Sequence, residues 1–252
     1  MNVVIIGTGN VATVLGRLFK KTGATIKQVF GRNRDNTAAL ASELNSLPCS
    51  EWSSIDKEAD LYLVAIADTA LYDLGQQLVL SNQLVVHTAG SVTKDVLKNI
   101  SKNYGVLYPL QSLRKEMPLL TEIPLLIDGN NEQTRQTIWE IALRLSSNIS
   151  FMGDEGRLKL HVAAIYMNNF TNHLYAVTED FCKKEDVSFN LLLPLAMETV
   201  KRINLVSPSQ VVTGPAARKD EITIKKHLHL LRAYPSIQKL YQQLTNSIRE
   251  FN

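Results

Sequence analysis

The 252-residue sequence has few cysteines and little net charge, and each scarcity excludes a class of protein. Its two cysteines, Cys49 and Cys182, form no C-x-x-C pair and no cysteine–histidine spacing typical of a metal site. This argues against a disulfide framework and a bound metal, and it indicates a reducing compartment. The formal net charge is only +3, so the composition does not favour nucleic acid or an anionic membrane surface as a partner.

Long apolar runs are also missing. No run approaches the roughly 18 residues that a membrane span needs, and the chain starts on its first strand, so we expect no signal segment. We therefore expect a soluble, cytoplasmic protein without a membrane partner. The composition, with 45% hydrophobic and 20% charged residues, is that of an ordinary globular protein. The length suffices for one large domain or two modest ones.

The most informative stretch is the first strand and the turn after it. The β-branched run in residues 2–6 predicts a strand that is buried on both faces, as in a parallel sheet. The turn has the spacing G-x-G-x-x-A, in which glycines permit close approach of backbone N–H groups to a pyrophosphate at a helix N-terminus. We assign a dinucleotide site to Gly7, Thr8, Gly9, Asn10, Val11 and Ala12. The alternative is a glycine turn of purely structural use.

The end of the second predicted strand, residues 26–30, bears on the type of dinucleotide. In NAD-binding folds an acidic residue here binds the ribose 2′-hydroxyl, whereas a basic residue suits the 2′-phosphate of NADP. Arg32 and Asn33 follow this strand, so NADP is favoured over NAD. The alternative is a solvated turn in which Asn33 or Asp35 caps the next helix. Ala67, which follows the third strand, completes the predicted cofactor site.

Strands and helices alternate as far as residue 152, and helices alone follow. This predicts an α/β fold, with a doubly wound Rossmann domain in residues 1–152 and an all-α domain in residues 153–252 that supplies substrate binding and dimerisation. The predicted strands are residues 2–6, 26–30, 60–66, 84–87, 105–108, 124–127 and 149–152. The predicted helices after the first are residues 36–45, 70–80, 93–101, 132–145, 157–184, 189–205, 220–231 and 235–250.

The helix predicted over residues 157–184 is mostly apolar but has one polar stripe. At about 100° per residue, Arg157, His161, Asn168 and Asn172 fall on that stripe. Histidine is the residue type most often used for acid/base catalysis at neutral pH, so we predict that His161 is the acid/base group and that Asn168 and Asn172 orient the substrate. The alternative is that these side chains satisfy one another across a helix interface.

Two loops complete the predicted site. Thr88 and Ser91 follow the fourth strand, at the sheet edge where nicotinamide and substrate meet in this architecture. Ser91 is assigned a catalytic role and Thr88 a substrate-binding role, although Ser91 could merely cap a helix. Arg218 and Asp220 lie at a later helix start, where Arg218 could hold a substrate carboxylate or phosphate. The alternative is that Asp220 only caps that helix.

These motifs together resemble one bacterial family, Rossmann-like proteins with a helical C-terminal domain of unknown function. The resemblance rests on the glycine turn, His87–Ser91, Tyr108–Gln111, His161–Phe170 and Thr213–Asp220, and covers nearly the whole chain. The family is related to pyrroline-5-carboxylate reductase, 6-phosphogluconate dehydrogenase and coenzyme-F420-dependent NADP oxidoreductases. The resemblance implies this fold, an NADP site and a homodimer formed through the helical domain, but it implies no substrate.

The sequence departs from the hydroxyacid dehydrogenases of this wider group. Those enzymes place a Lys followed closely by Asn on the long helix, whereas here His161 occupies the comparable turn and Lys159 points elsewhere. Our main hypothesis is an NADP-dependent oxidoreductase that acts on a small carboxylate-bearing carbonyl or imine compound. The alternatives are a non-catalytic NADP(H)-binding module and a prephenate dehydrogenase-like enzyme.

Overall fold

A computed structural model describes residues 1–117 and 122–251 of the chain. The chain folds into two compact units, Met1–Asn169 and Phe170–Asn252, which we call the sheet unit and the helical unit. The domain boundary that the sequence places at residue 153 stays a prediction.

The sheet unit contains one eight-stranded sheet in the order β3-β2-β1-β4-β5-β6-β7-β8, parallel except that β7 runs antiparallel to β6. Its α/β, doubly wound character confirms the predicted fold class. The strands are β1 (Asn2–Ile6), β2 (Thr25–Phe30), β3 (Leu47–Cys49), β4 (Leu61–Val64), β5 (Leu84–His87), β6 (Asn103–Pro109), β7 (Leu125–Gly129) and β8 (Ile149–Phe151).

The sheet is covered on both faces, as the β-branched first strand predicts. Val3 and Ile5 of β1 pack into one hydrophobic cluster, and Val4 and Ile6 pack into a second cluster on the other face. All four side chains are fully buried because successive residues of a strand point to opposite faces. This central position fixes the turn after β1 at the carboxyl edge of the sheet.

The helices of the sheet unit are α1 (Asn10–Lys21), α2 (Arg34–Leu44), α3 (Asp68–Leu71), α4 (Glu132–Leu143) and α5 (Asp154–Ala164), followed by a π-helical turn at Ile165–Phe170. The helical unit has α6 (Thr171–Lys184), α7 (Leu193–Ile203), α8 (Glu221–Leu230) and α9 (Pro235–Phe251). Within the described range 153–251 there is no strand, as predicted.

Some predicted helices differ from the structure, which also contains one strand that the sequence does not predict. The helix predicted over residues 70–80 is the four-residue α3 and a 3₁₀ turn at Leu74–Gln76, and that over 93–101 is a 3₁₀ turn at Lys94–Leu97. The strand β3 was not predicted, because three residues that include Pro48 show no period and pair only with β2. The helix predicted to begin at residue 157 begins at Asp154, and the π-helical turn follows it.

Candidate active site

The turn after β1 requires glycine at its first position. Gly7 has φ +126°, and its N–H donates to the Phe30 carbonyl oxygen at 2.8 Å. A Cβ atom at this position would lie 2.1 Å from the carbonyl oxygen of Ala65, the residue that follows the neighbouring strand β4. No other residue type can therefore hold the backbone in this place.

The N-terminus of α1 fits an anionic group. Gly9 is the N-cap residue in an extended conformation, and the first turn, Asn10 to Ala12, is uncharged. A Cβ atom built on Gly9 would have no described atom within 4 Å, apart from those of its sequence neighbours. The free N–H groups of the helix therefore face open space, which is the arrangement that binds a phosphate group.

A cavity of about 680 Å³ extends from this turn along the carboxyl edge of the sheet. It brings together the predicted cofactor residues Gly7, Thr8, Gly9, Asn10, Val11, Arg32, Asn33 and Ala67, and it also includes Trp52 and Thr88. Ala12 is fully buried beneath it, where a small residue permits close helix–strand packing. We call this cavity the nucleotide cleft.

The three polar residues Arg32, Asn33 and Arg34, which follow β2, have different surroundings. Asn33 caps α2, since its side-chain oxygen accepts the Asn36 N–H at 2.9 Å. Arg34 lies 3.9 Å from Glu51 in an exposed ion pair. Arg32 is exposed, lines the nucleotide cleft and has no ion-pair partner in the described part of the chain, so its guanidinium is available to an anionic ligand.

A second cavity of about 660 Å³ adjoins the first. Helix α5 and the π-helical turn provide one side, and the loop after β6 provides another. It contains His161, Asn168 and Asn169 together with Tyr108 and Gln111. Val11 and Thr88 line both cavities. The second cavity meets the nucleotide cleft at these two residues, and we call it the substrate cleft after the role that we propose for it.

Tyr108 and His161 form a hydrogen-bonded pair in the substrate cleft. The distance from Tyr108 Oη to His161 Nδ1 is 2.9 Å, and the two rings meet at 72°. Gly90 makes this approach possible, since a Cβ atom there would lie 2.6 Å from His161 Nδ1 and 2.9 Å from Tyr108 Cζ. Tyr108 itself is not among the site residues predicted from the sequence, although its loop is one of the motifs that carry the family resemblance.

The charges around Tyr108 have opposing effects on its phenol. Burial raises the pKa of Tyr108 above its ordinary value, the positive charge of Arg157 opposes that rise, and the negative charge of Asp68 adds to it. The phenol is therefore neutral at neutral pH and can donate a hydrogen bond or a proton.

Asp68, whose charge acts on Tyr108, is also the hydrogen-bond partner of Ser91. The Ser91 hydroxyl donates to Asp68 Oδ2 at 2.5 Å, and Ser91 is exposed. Among the described residues that line the two clefts, Ser91 does not appear, whereas Asp68 and Thr88 do. The catalytic role of Ser91 stays a prediction.

His87 ends β5 and is fully buried. Its Nδ1 accepts the Ala89 N–H at 3.1 Å, so the neutral ring carries its proton on Nε2. Burial lowers the pKa of His87 to about 4, with the charge of Arg157 as the second cause. These features fit the structural role that its place at the end of a buried strand suggests.

The π-helical turn changes the geometry of the polar stripe. Asn168 lies within this turn, where hydrogen bonds run from i to i+5, so a rotation of 100° per residue does not apply across it. His161 and Asn168 nevertheless line the same cleft. Such turns occur often at functional sites.

The helical unit holds the remaining predicted residues. Asn172 and Arg218 are exposed. Asp220 caps α8, accepting the Thr223 N–H at 3.1 Å and the Thr223 hydroxyl at 2.7 Å. These bonds lower the pKa of Asp220. Capping is the alternative role that the sequence allows for Asp220, and the substrate-binding roles of Arg218 and Asp220 stay predictions.

In the described residues, no helix combines the length and apolar character needed to cross a membrane.

In a comparison with known proteins, two separate regions of the sequence match two family descriptions. Residues 2–91 match the NADP oxidoreductase, coenzyme F420-dependent family, and residues 123–248 match the domain of unknown function DUF2520. No curated protein matches the sequence.

Solved structures resemble the whole chain. A protein of Bacteroides fragilis, provisionally classified as an NADP oxidoreductase, is 34% identical, with 99% of this chain and 98% of that chain covered and a TM-score of 0.93. An imine reductase from Myxococcus stipitatus, solved with NADP⁺, is 15% identical over 99% and 93% of the chains, with a TM-score of 0.67. The 1-pyrroline-5-carboxylate reductase of Streptococcus pyogenes is 12% identical over 99% and 98%, with a TM-score of 0.65.

The similarity to the last two structures shows a shared fold alone, whereas the 34% identity to the first shows a shared family. The chain therefore belongs to the family of proteins in which an NADP oxidoreductase (coenzyme F420-dependent) region precedes the domain of unknown function DUF2520.

Proposed function

We propose that this protein is an NADP-dependent oxidoreductase that reduces or forms a small carbonyl or imine compound bearing a carboxylate. The observation that carries the proposal is the meeting of two clefts at Val11 and Thr88. The glycine turn lies in one cleft, and the Tyr108–His161 pair lies in the other. A redox cofactor and a proton donor would thus meet at one place.

The nucleotide cleft fits NADP in two respects. The uncapped N-terminus of α1 can bind the pyrophosphate through backbone N–H groups, and exposed Arg32 can bind the 2′-phosphate. The family description and the NADP⁺-bound imine reductase support the same cofactor. When bound, this cofactor supplies the hydride that is transferred to, or taken from, the substrate carbon.

The protein's own residues would handle the proton. In the reduction, a hydride adds to the carbon of a C=O or C=N group, and the oxygen or nitrogen takes one proton. We propose that His161 is the acid/base group and that Tyr108, 2.9 Å away, fixes its tautomer and replaces its proton. Asn168 would orient the substrate in the same cleft, and Asn172, Ser91 and Thr88 are the further predicted contacts. Arg218 is proposed to bind its anionic end, and Asp220 is a further proposed substrate contact.

We also propose that the protein is a homodimer formed through the helical unit. In the described part of that unit, only Cys182, Ala216, Ile224 and Leu231 are buried apolar residues. Large apolar side chains are exposed instead, among them Leu191, Leu193, Leu195, Met197, Leu205 and Ile222. A unit of this size needs a larger core, and a second copy would provide one.

The experiment that tests the proposed function combines binding with turnover. Titration with NADPH and NADH measures affinity in the wild type, in Arg32→Gln and in the control Arg34→Gln, whose side chain pairs with Glu51. We expect Arg32→Gln to weaken NADPH binding about tenfold or more without affecting NADH, and Arg34→Gln to have little effect. Equal affinities for NADPH and NADH would contradict the assignment of NADP.

Turnover separates an enzyme from a binding module. Transfer of deuteride from labelled NADPH to a panel of keto acids, cyclic imines and aldehydes would show the reaction, and His161→Gln should abolish it while NADPH still binds. Tight binding of NADPH with no transfer to any member would favour the non-catalytic module. Oxidation of prephenate would instead favour the third hypothesis.

A further inference from the structure

A buried cation lies behind the Tyr108–His161 pair. The side chain of Arg157 is 1% exposed, although arginine is almost never fully buried unless it is paired. Its Nη2 donates to Asp154 Oδ1 at 2.8 Å and to the Val92 carbonyl oxygen. One nitrogen of the guanidinium thus makes both of these bonds.

The neutralisation of Arg157 is incomplete. Asp154 also accepts the Thr93 hydroxyl at 2.5 Å and the Lys94 N–H at 3.2 Å, so its charge is shared. Nε and Nη1 of Arg157 are buried and have no acceptor among the described residues. Because arginine keeps its proton in proteins, residual positive charge remains in a region of low dielectric constant, where it acts strongly on its neighbours.

Arg157 and His161 lie on the same face of α5 and both contact the loop that follows β5. They are four residues apart on α5, which makes them neighbours along one face. Arg157 binds the carbonyl of Val92, and His161 packs against Gly90, where no Cβ could fit. Two contacts one helical turn apart fix both the distance and the angle of α5 on this loop.

We propose that Arg157 is a positioning residue for the Tyr108–His161 pair, holding His161 against Gly90 and favouring, through its charge, the state of the pair that has given up a proton. Its part in a reaction rests on the proposed function, whereas its effect on Tyr108 needs neither cofactor nor substrate. The charged and titratable groups that act on Tyr108 are Arg157 and His161 from α5 and Asp68 from the start of α3.

The test measures the ionisation of Tyr108 in the protein without cofactor. Tyrosine labelled with ¹³C at Cζ gives one NMR resonance per tyrosine, and the resonance that Tyr108→Phe removes belongs to Tyr108. We compare wild type with Arg157→Gln, Arg157→Lys and the control Lys159→Gln. Lys159 lies on the same helix and pairs in solvent with Glu155.

We expect Arg157→Gln to raise the pKa of Tyr108 by about one pH unit, because the opposing charge is lost. Arg157→Lys should keep the pKa near its wild-type position, and Lys159→Gln should not change it. Circular dichroism at each pH confirms that the variants stay folded. If Arg157→Gln does not fold, Asp154→Asn tests the same charge with the opposite sign and should lower the pKa of Tyr108.

An unchanged pKa of Tyr108 in folded Arg157→Gln, or in Asp154→Asn where that variant replaces it, would overturn the proposal. So would an equal rise in Arg157→Lys, because the effect would then follow shape rather than charge. With a substrate in hand, Arg157→Gln should lower kcat about tenfold while the KM for NADPH stays the same, with partial recovery in Arg157→Lys. Failure to bind NADPH would refute the proposed function and leave the effect on Tyr108 intact.

Discussion

At the scale of single residues, Gly90 is the position on which the Tyr108–His161 pair depends. A Cβ atom there would lie 2.6 Å from His161 Nδ1, 2.9 Å from His161 Cγ and 2.9 Å from Tyr108 Cζ. All three are atoms of the hydrogen-bonded pair itself. A methyl group at residue 90 would therefore displace the Tyr108–His161 pair without removing any polar atom from it.

We predict that Gly90→Ala lowers kcat at least about tenfold and costs about 1–3 kcal/mol of unfolding free energy through overpacking. Steady-state kinetics and urea denaturation measure the two effects. The matched control is Gly153→Ala, since a Cβ on Gly153 meets no described atom within 4 Å. Equal behaviour of the two variants would show that Gly90 does not position the pair.

His87 gives a second prediction at this scale. Its folded-state pKa of about 4 lies below the ordinary value of 6.5, so between these values the unfolded chain binds more protons than the folded chain. The resulting stability is present above about pH 6.5 and is lost as the pH falls towards about pH 4, for a total of about 3 kcal/mol.

His87→Asn should therefore flatten the dependence of unfolding free energy on pH between about pH 7 and about pH 4. Urea denaturation at several pH values measures the slope, and the exposed His229→Asn serves as a control that should keep the wild-type slope. Identical slopes in wild type and His87→Asn would mean that His87 can be protonated in the folded protein.

At the scale of elements, the first turn of α1 is the feature that would bind the coenzyme. Asn10 begins the helix, and its Oδ1 accepts the Lys115 N–H at 3.3 Å. An aspartate would keep this acceptor and the same shape. It would also place a negative charge at the helix N-terminus, where the helix dipole favours it but a pyrophosphate would be repelled.

We predict that Asn10→Asp weakens NADPH binding about tenfold while it leaves stability unchanged or raises it by about 0.5 kcal/mol. Fluorescence titration and thermal unfolding measure these opposite effects. The control, Gln133→Glu, adds the same charge to the first turn of α4, away from the nucleotide cleft. Unimpaired NADPH binding in Asn10→Asp would contradict the prediction that the pyrophosphate binds at this turn.

The helices and strands also show how much of the fold can be predicted from a single sequence. Strong periodic signals, such as the β-branched run of β1 and its glycine turn, correctly predict the Rossmann character. The residues that the glycine turn assigns to a dinucleotide site, except buried Ala12, line one cavity, and their role in binding stays a prediction. Local signals fail where tertiary contacts decide the structure. The strand β3 exists through its pairing with β2, and residues 93–101 form only a short 3₁₀ turn, beside which Asp154 binds Thr93 and Lys94.

The candidate site was predictable only in part for the same reason. His161 stands out as a titratable residue on an apolar helix, but Tyr108 is its partner only because β6 and α5 bring together residues 53 positions apart. The space that Gly90 leaves for both rings has no signature in the sequence. The π-helical turn at Ile165–Phe170 likewise has no simple sequence pattern. The angular positions that a regular α-helix predicts for the polar side chains therefore do not hold beyond this turn.

At the scale of the whole molecule, the helical unit determines the expected assembly. Helix α7 has no buried residue in the described structure, although it carries Leu193, Leu195, Met197 and Val200. An apolar helix of this kind is stable when another surface covers it. Because the same unit carries further exposed apolar side chains, such as Leu191, Leu205 and Ile222, a second copy of the chain is the proposed cover.

We predict that sedimentation gives twice the mass of one chain at micromolar concentration. Leu195→Glu in α7 should shift the protein towards the monomer, whereas the control Leu47→Glu, at an exposed leucine of β3, should not. A wild-type monomer with a stably folded helical unit at all concentrations would refute the homodimer.

The most direct test of the proposed function is a crystal structure with NADP⁺ bound. We predict that the pyrophosphate lies on the backbone N–H groups at Gly9 to Val11 and that the nicotinamide ring reaches Thr88, where the two clefts meet. Its hydride-accepting carbon should face the substrate cleft, with room for a substrate atom about 3–3.5 Å away that also reaches the Tyr108–His161 pair. A nicotinamide ring that lies away from this pair, or a cofactor bound elsewhere, would contradict the proposal.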